Sequence, residues 1–238
     1  MKNFIIQAQP NDFTCGPTCL QAVYNYYGEN IELNQVIDEV HSLENGGTLS
    51  VLLANHALRK GYKATIYNYN LEVFDPTWFP VQNTEELVQK LTAQIEAKEN
   101  EKLQSASKAY IDFLELGGNL KFKDLNPKLL KKLFRKETPI LTGLSATYLY
   151  RCAREFSHPD GSMTYNDVTG EPTGHFVVLN GFNKKKTKVL VSDPYQSNPV
   201  SGSNYYSAKT QRLINSILLG IITYDANLLI IKPKTKKS

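Results

Sequence analysis

The sequence has little cysteine and no long apolar run, and both shortages exclude classes of protein. There are three cysteines among 238 residues. A secreted disulfide scaffold is shorter, richer in cysteine and usually even in count, so free thiols and a cytoplasmic location are expected. The longest apolar stretch, residues 213–222, has about half the length that a transmembrane helix needs. The apolar run at residues 4–6 is too short for a signal peptide.

The sequence also lacks a large excess of charge of either sign. The net charge is +4, with 41% hydrophobic and 21% charged residues, which is ordinary for a globular protein. A nucleic-acid-binding domain shows a strongly basic face, so no nucleic-acid partner is expected. The small basic clusters at residues 184–186 and 232–237 are interpreted as a hairpin tip and a frayed end. The length fits a single domain over residues 1–238.

Helical periodicity dominates the first part of the chain. A helix is predicted to begin after Asp12, with Pro17 in its first turn and Gly28 as its stop. Further predicted elements are a strand over 3–8, helices over 33–42 and 48–60, and a strand over 62–69. Residues 84–135 are rich in Lys, Glu and Gln and predict three more helices, over 84–98, 102–116 and 126–135.

Antiparallel strands dominate the second part. Strands are predicted over 139–144, 175–182, 188–193 and 227–232, with a helix over 207–219. Residues 155–173 carry turn-forming residues and predict a mobile loop. Segregated helices and strands predict an α+β fold rather than alternating βαβ units.

Cys15 lies where the first helix is predicted to begin. Free N–H groups and the positive end of the helix dipole stabilise an anion there, and the thiolate is the nucleophilic form of cysteine. The alternative is a buried cysteine that happens to start a helix. Thr14 and Gly16 beside it are small enough for a substrate backbone to approach.

His175 differs from the other histidines because it opens a strongly apolar strand. Four histidines are present. His41 and His56 fall in predicted helices among polar neighbours, where a surface or half-buried structural role is expected, and His158 falls in the polar loop. With a hairpin centred near residue 184 or 185, residues 193–195 lie opposite His175. Asp193 is therefore expected to accept a hydrogen bond from the His175 ring and to orient it.

Two further sets of side chains have open interpretations. The Gln9 amide is a candidate donor to a developing oxyanion, with the Cys15 backbone N–H as the second donor and Gln7 as a competitor. Cys19 lies on the same helical face as Cys15, and core packing is favoured over a redox pair or a zinc half-site, since no second ligand pair is found. Cys152 is interpreted as structural. No cofactor is required.

Three motifs resemble those of the C39-like cysteine peptidases, which belong to the papain-like superfamily. They are residues 9–28 (QPNDFTCGPTCLQAVYNYYG), 174–182 (GHFVVLNGF) and 189–194 (VLVSDP). The resemblance implies a papain-like α+β fold with the nucleophile helix packed on an antiparallel sheet. It also implies Cys15 as nucleophile, His175 as base, Asp193 as orienting residue and Gln9 as oxyanion donor.

The chain departs from the family pattern in two places. Residues 84–135 and 155–173 resemble insertions, and the transporter to which the exporter-type members are fused is absent, so their double-glycine specificity is not carried over. The expected function is hydrolysis of a peptide or isopeptide bond in a peptide or protein substrate. Acyl transfer, small-molecule amidase activity and a non-enzymatic peptide- or protein-binding module remain alternatives, and the oligomeric state is left open.

Overall fold

A seven-stranded sheet forms the centre of the molecule. The computed structural model describes residues 4–40, 47–79, 83–158 and 163–234. The helices are α1 (Cys15–Tyr26), α2 (Leu33–Glu39), α3 (Ser50–Arg59), α4 (Thr84–Ala97), α5 (Glu101–Glu115), α6 (Pro127–Phe134), α7 (Ala146–Tyr150) and α8 (Thr210–Leu219). The strands are β1 (Tyr62–Asn68), β2 (Asn119–Lys121), β3 (Ile140–Ser145), β4 (Glu155–Ser157), β5 (Met163–Tyr165), β6 (Gly174–Phe182), β7 (Lys188–Ser192), β8 (Tyr205–Lys209) and β9 (Asn227–Pro233).

The sheet runs in the order β2-β1-β9-β3-β6-β7-β8. All neighbouring pairs are antiparallel except β1 and β2, which are parallel. Side chains alternate between its two faces. On β6, Phe176 and Val178 join a core formed with α1, α3 and α5, whereas Val177 and Leu179 join a second core with α7 and α8. The strand is therefore apolar on both faces, as its sequence predicts.

Helix α1 is packed against β6 over much of its length, and its residues from Cys15 to Tyr24 are all buried. Gly28 has φ +86° just past its end, the left-handed stop that the sequence predicts. Gly16 is needed for close approach: a Cβ there would lie 2.5 Å from Thr48 Cγ2 and 3.3 Å from Phe176 Cδ2. The first helix is thus seated directly on the sheet, and its N-terminus is fixed.

Three sequence predictions are corrected. Residues 4–9 form no strand. Isolated hydrogen bonds hold this segment in place: Ile6 N donates to the Tyr205 hydroxyl at 3.0 Å, and Gln9 N donates to Pro194 O at 2.9 Å. The helix predicted from residue 207 begins at Thr210, because residues 205–209 form edge strand β8 on β7. The predicted loop at 155–173 contains the β4–β5 hairpin.

Residues 84–135 hold the three predicted helices and one element that was missed. Strand β2 pairs with β1 in parallel, with Ile66 opposite Leu120, so this block also extends the main sheet. That it is an insertion stays a prediction. Within the ranges that the structure describes, no helix has both the length and the apolar character needed to cross a membrane.

Candidate active site

A tight turn fixes the start of α1. The Asn11 carbonyl accepts from Thr14 Oγ1 at 3.0 Å, and Asn11 Oδ1 accepts from Phe13 N at 3.0 Å. Asparagine favours such turns because its side chain mimics a backbone acceptor. The turn delivers Cys15 as the first helical residue, with 9% of its surface exposed. Its thiol therefore lies at the positive end of a largely buried helix.

The structure brings together Cys15, His175 and Asp193, which are far apart in sequence. His175 Nε2 lies 2.8 Å from Asp193 Oδ1, and the Cys15 thiol is a hydrogen-bonding neighbour of the same ring. Because Nε2 faces the carboxylate, Nδ1 is the ring nitrogen left for the thiol. His175 is 7% exposed and Asp193 is fully buried. The arrangement is a thiol, an imidazole and a carboxylate in series.

The strand register explains why the histidine and the aspartate meet. Val178 pairs with Ser192, and a bulge interrupts the pairing between Leu179 and Phe182. The pairs beyond the bulge are centred on residue 185, so continuing their register places Tyr195 opposite His175 and Val177 opposite Asp193. His175 and Asp193 are therefore diagonal neighbours, a spacing that long side chains span.

Asp193 receives more hydrogen bonds than the sequence suggests. Tyr150 and Tyr206 donate their hydroxyls to Oδ2 at 2.9 and 2.8 Å, and the Tyr195 backbone N–H donates to Oδ1 at 2.9 Å. Sequence analysis missed these tyrosine contacts, since 14 tyrosines are present and no local pattern marks the two that reach residue 193. Both oxygens of the carboxylate are thus held in place.

The electrostatics of the pair follow from this geometry. Burial by itself lowers the pKa of His175, but the Asp193 carboxylate and the Cys15 thiol outweigh it and raise the pKa to about 10. Burial by itself raises the pKa of Asp193, but the facing His175 and the donors from Tyr206 and Tyr195 bring it below its usual value. Opposite charges on buried partners stabilise each other. An imidazolium beside a carboxylate is the favoured state at neutral pH.

Gln9 lies in the wall of a cavity of about 390 Å³ that His175 and Tyr195 also line. Its Nε2 donates to Asn11 O at 2.9 Å, which orients the amide and leaves it a second N–H. Gln7, the competitor, is exposed and does not line this cavity. Position therefore favours Gln9 over Gln7 as the second oxyanion donor, and this role stays a prediction.

The remaining thiols have structural surroundings. Cys19 is fully buried, contacts Phe176 O through Sγ at 3.3 Å, and has its pKa raised by burial and by Cys15. Burial also raises the pKa of Cys152, which packs against the second core. Among the described residues, no three His, Cys, Asp or Glu side chains are grouped to hold a metal ion. Core packing therefore accounts for Cys19.

The other histidines that the structure describes, His56 and His158, have partners outside this cluster. His56 is buried, where a surface or half-buried place was expected; its Nδ1 lies 2.8 Å from the Tyr24 hydroxyl and its Nε2 lies 2.9 Å from Glu39. His158 contacts Thr164 at 2.8 Å on the surface. His41 lies outside the described residues.

Residues 2–108 match the model of the Peptidase C39 family. This part of the chain, a little under half of its length, is similar to that family. The match contains Gln9 and Cys15 and ends inside α5, before the histidine and aspartate motifs, and it confirms the resemblance of the first motif. A comparison with curated proteins finds no significant match.

Several solved structures are similar to this chain over nearly its whole length. A protein from Bacillus anthracis that is classed as a C39-like peptidase superposes with a TM-score of 0.51 at 12% identity, over 98% of this chain and 96% of that chain. A double-glycine-motif protease from an AMS/PCAT transporter, solved with its leader peptide, gives 0.46 at 15% identity, over 98% and 93%. The peptidase domain of Streptococcus ComA gives 0.44 at 11%, over 98% and 100%.

The likeness to the Bacillus anthracis structure confirms the predicted α+β, papain-like fold. The C39-like family match and fold support a cysteine peptidase-like enzyme.

Proposed function

We propose that this C39-like chain is a cysteine hydrolase that cleaves a peptide or isopeptide bond through Cys15, His175 and Asp193. The observation that carries the proposal is the 2.8 Å contact between His175 Nε2 and Asp193 Oδ1, with the Cys15 thiol as a hydrogen-bonding neighbour of the same ring. A nucleophile beside a base that a third group orients is the general signature of covalent catalysis.

The cationic imidazole prepares the nucleophile. A proton that leaves the Cys15 Sγ is held by His175, whose positive charge is balanced by Asp193 in a buried setting. The N-terminus of α1 adds a positive partial charge beside the sulfur. These features favour a thiolate–imidazolium pair, the reactive state of cysteine peptidases.

Acylation then proceeds with a balanced transfer of one proton. The Cys15 sulfur attacks the substrate carbonyl carbon, and the new S–C bond places negative charge on the carbonyl oxygen. The Cys15 backbone N–H and the Gln9 amide are the two donors proposed for this oxygen. The Cys15 N–H is available because the first N–H groups of a helix have no intrahelical acceptor. When the C–N bond breaks, His175 gives its proton to the departing amine.

Deacylation restores the resting state. A water molecule, deprotonated by neutral His175, attacks the thioester carbon, and the C–S bond breaks to release the acid product. The sulfur leaves as the thiolate and the imidazolium is formed again. If an amine rather than water reached the thioester, the same groups would perform acyl transfer.

Selective alkylation tests the thiolate–imidazolium pair directly. Purified protein is treated with iodoacetamide near neutral pH, and modification of each cysteine is followed by mass spectrometry. We expect Cys15 to react much faster than Cys19 and Cys152, whose pKa values are raised by burial. His175→Ala should remove that advantage, and His158→Ala, a surface histidine, should leave it intact.

Substrate cleavage is tested next with a mixed library of fluorogenic peptides and isopeptides. Cleavage by the wild type, and none by Cys15→Ala, would support the hydrolase. Equal, slow alkylation of all three cysteines in the folded protein would contradict the proposal. The chain would then be a peptide- or protein-binding module on a peptidase-like scaffold, and pull-down experiments would replace kinetics.

A further inference from the structure

The cavity beside His175 has walls of defined chemistry. Its volume of about 390 Å³ falls at the lower end of the roughly 300–1,000 Å³ typical of ligand pockets. One wall is His175 and Gln9, two of the groups assigned above to the reaction. The β4–β5 hairpin also lines the cavity, through Glu155 and Met163. A substrate bound at Cys15 therefore places one of its side chains next to this cavity.

The charged side chains that the structure describes in the cavity lining, His175 aside, are two carboxylates. Asp12 is exposed and Glu155 is half-buried. Among the described residues that line it, none is lysine or arginine. Two arginines adjoin lining residues in sequence, Arg151 beside Tyr150 and Arg154 beside Glu155, and neither lines the cavity. The Arg154 guanidinium donates to the carbonyls of Asp167 and Val168, at 2.6 and 3.1 Å. His175 shares its charge with Asp193, so the two free carboxylates set the sign of the local potential.

Aromatic rings complete the lining. Tyr150, Tyr165 and Tyr195 all contribute to it, and the rings of Tyr150 and Tyr195 lie 6.4 Å apart between centroids. Tyr165 on β5 interacts with Tyr195 through their side chains, and Glu155 lies close enough to affect the Tyr165 hydroxyl. This contact joins the hairpin to the segment that carries Asp193. Tyrosine faces attract cations as well as apolar groups.

We infer that this cavity is a specificity subsite for a lysine or arginine side chain next to the cleaved bond. The inference rests on the proposed function, since it assigns a substrate class to the same site. Apolar ring surface accommodates the aliphatic stem of such a side chain, and Asp12 and Glu155 pair with its charged end. A glutamate or aspartate in the same place would meet two like charges and is disfavoured.

A position-resolved peptide library tests the subsite. Wild-type cleavage products are sequenced by mass spectrometry, and we expect Lys and Arg to be enriched over norleucine and Glu at one position beside the cleaved bond. Glu155→Gln should lower the ratio of kcat/KM for the Lys peptide to that for the norleucine peptide about tenfold, the effect of one charge-assisted contact in a partly buried site. Asp12→Asn, at an exposed position, should lower the ratio less, by about threefold.

A matched control and a charge reversal sharpen the test. Glu171→Gln makes the same charge change on the residue bridged to Glu155, outside the cavity lining, and should leave the ratio unchanged. Asp12→Lys combined with Glu155→Lys should move the preference from Lys to Glu. Thermal melting of each variant verifies that it is folded. An equal fall in the ratio for Glu171→Gln would contradict a pocket-specific effect.

The outcomes separate this inference from the proposed function. Cleavage by the wild type without enrichment of Lys or Arg overturns the subsite and leaves the hydrolase standing. If the wild type cleaves nothing, binding of the Lys and norleucine peptides to Cys15→Ala is measured by fluorescence anisotropy. Tighter binding of the Lys peptide then supports the subsite while the hydrolase fails, and equal binding overturns the subsite as well.

Discussion

Tyr206 donates its hydroxyl to Oδ2 of Asp193 at 2.8 Å, on the oxygen that does not face His175. Tyr150 donates to the same atom at 2.9 Å. Burial, followed by the neighbouring carboxylate, raises the pKa of both phenols above the usual value, so both remain neutral donors throughout the working pH range. The carboxylate is thereby fixed in plane, and the His175 ring is fixed with it.

Removal of these hydroxyls tests their positioning role. Tyr150→Phe and Tyr206→Phe each leave Oδ2 with one donor, and each should cost about 1–2 kcal/mol in the free energy of unfolding. The double variant leaves the buried oxygen with none, so its loss should exceed the sum of the single losses. Urea denaturation of the four proteins measures this coupling.

The kinetic readout separates positioning from packing. If the tyrosines orient His175 through Asp193, the double variant lowers kcat and slows alkylation of Cys15 while KM changes little. Tyr205→Phe is a matched control, because the Tyr205 hydroxyl bonds Ile6 N and not Asp193. Loss of stability with unchanged Cys15 reactivity would show that the two hydroxyls are structural only.

Asp193→Asn should preserve the shape of the site and lose most of the activity. The amide has similar volume but no charge, so the imidazolium loses its counter-ion and the ring tautomer is no longer enforced. We expect kcat/KM to fall by about 100-fold or more, with most of the change in kcat. Asp38→Asn, at an exposed position on α2, is the control. A fall below about threefold would remove Asp193 from the mechanism.

Elements with a clear periodicity of apolar residues and a recognisable end signal could be predicted from the sequence. Helix α1 has Leu20, Val23 and Tyr24 at helical spacing and a glycine stop at residue 28, and the structure has that helix. Strand β2 and helix α7 were missed, because three and five residues hold too little periodicity to decide. Residues 119–121 become a strand through pairing with β1, a long-range interaction that local sequence does not carry.

The site was predictable where one hairpin brings two residues together. His175 and Asp193 flank a single turn, so their meeting follows from antiparallel pairing even though the bulge changes the register. Tyr150 approaches Asp193 from a helix 43 positions away, and that contact depends on how α7 packs over the sheet. The acidic cavity depends in the same way on the β4–β5 hairpin, which the sequence presented as a loop.

Gly16 is predicted to be required for the position of Cys15. An alanine Cβ would lie 2.5 Å from Thr48 Cγ2 and 3.3 Å from both Leu53 Cδ1 and Phe176 Cδ2. Threonine is stiff at χ1, so we expect α1 to shift and the free energy of unfolding to fall by about 1–3 kcal/mol. Alkylation of Cys15 should slow as its thiol moves from His175.

A second-site change provides the control for this clash. Thr48→Ser removes Cγ2 and keeps the hydroxyl, so the Gly16→Ala/Thr48→Ser double variant should regain part of the lost stability and of the Cys15 reactivity. Thr48→Ser alone accounts for any independent effect. If the double variant is no better than Gly16→Ala, contact with Thr48 is not the cause of the damage.

The raised pKa of His175 predicts a loss of stability at alkaline pH. In the unfolded chain the group titrates near 6.5, and in the folded protein near 10. The folded state therefore binds more protons between these values, so the stabilisation is complete below pH 6.5 and is lost as pH rises towards 10. The Cys15 thiol can exchange a proton with the ring. The change in bound protons is therefore assigned to His175 alone only in a Cys15→Ser background.

Urea denaturation of Cys15→Ser between about pH 7 and 8.5 measures the effect, with a fall of at most about 1.4 kcal/mol per pH unit. This pH window lies below 9, the usual pKa of a cysteine thiol such as that of Cys19. The window also lies above the pH range in which His56 titrates, because burial lowers the pKa of His56 from 6.5. The contribution of His56 to stability is therefore lost only on acidification below pH 6.5. Cys15→Ser/His175→Gln should be flat over the same window. Parallel curves for the two proteins would assign the pH dependence to other groups and leave His175 without its proposed charge.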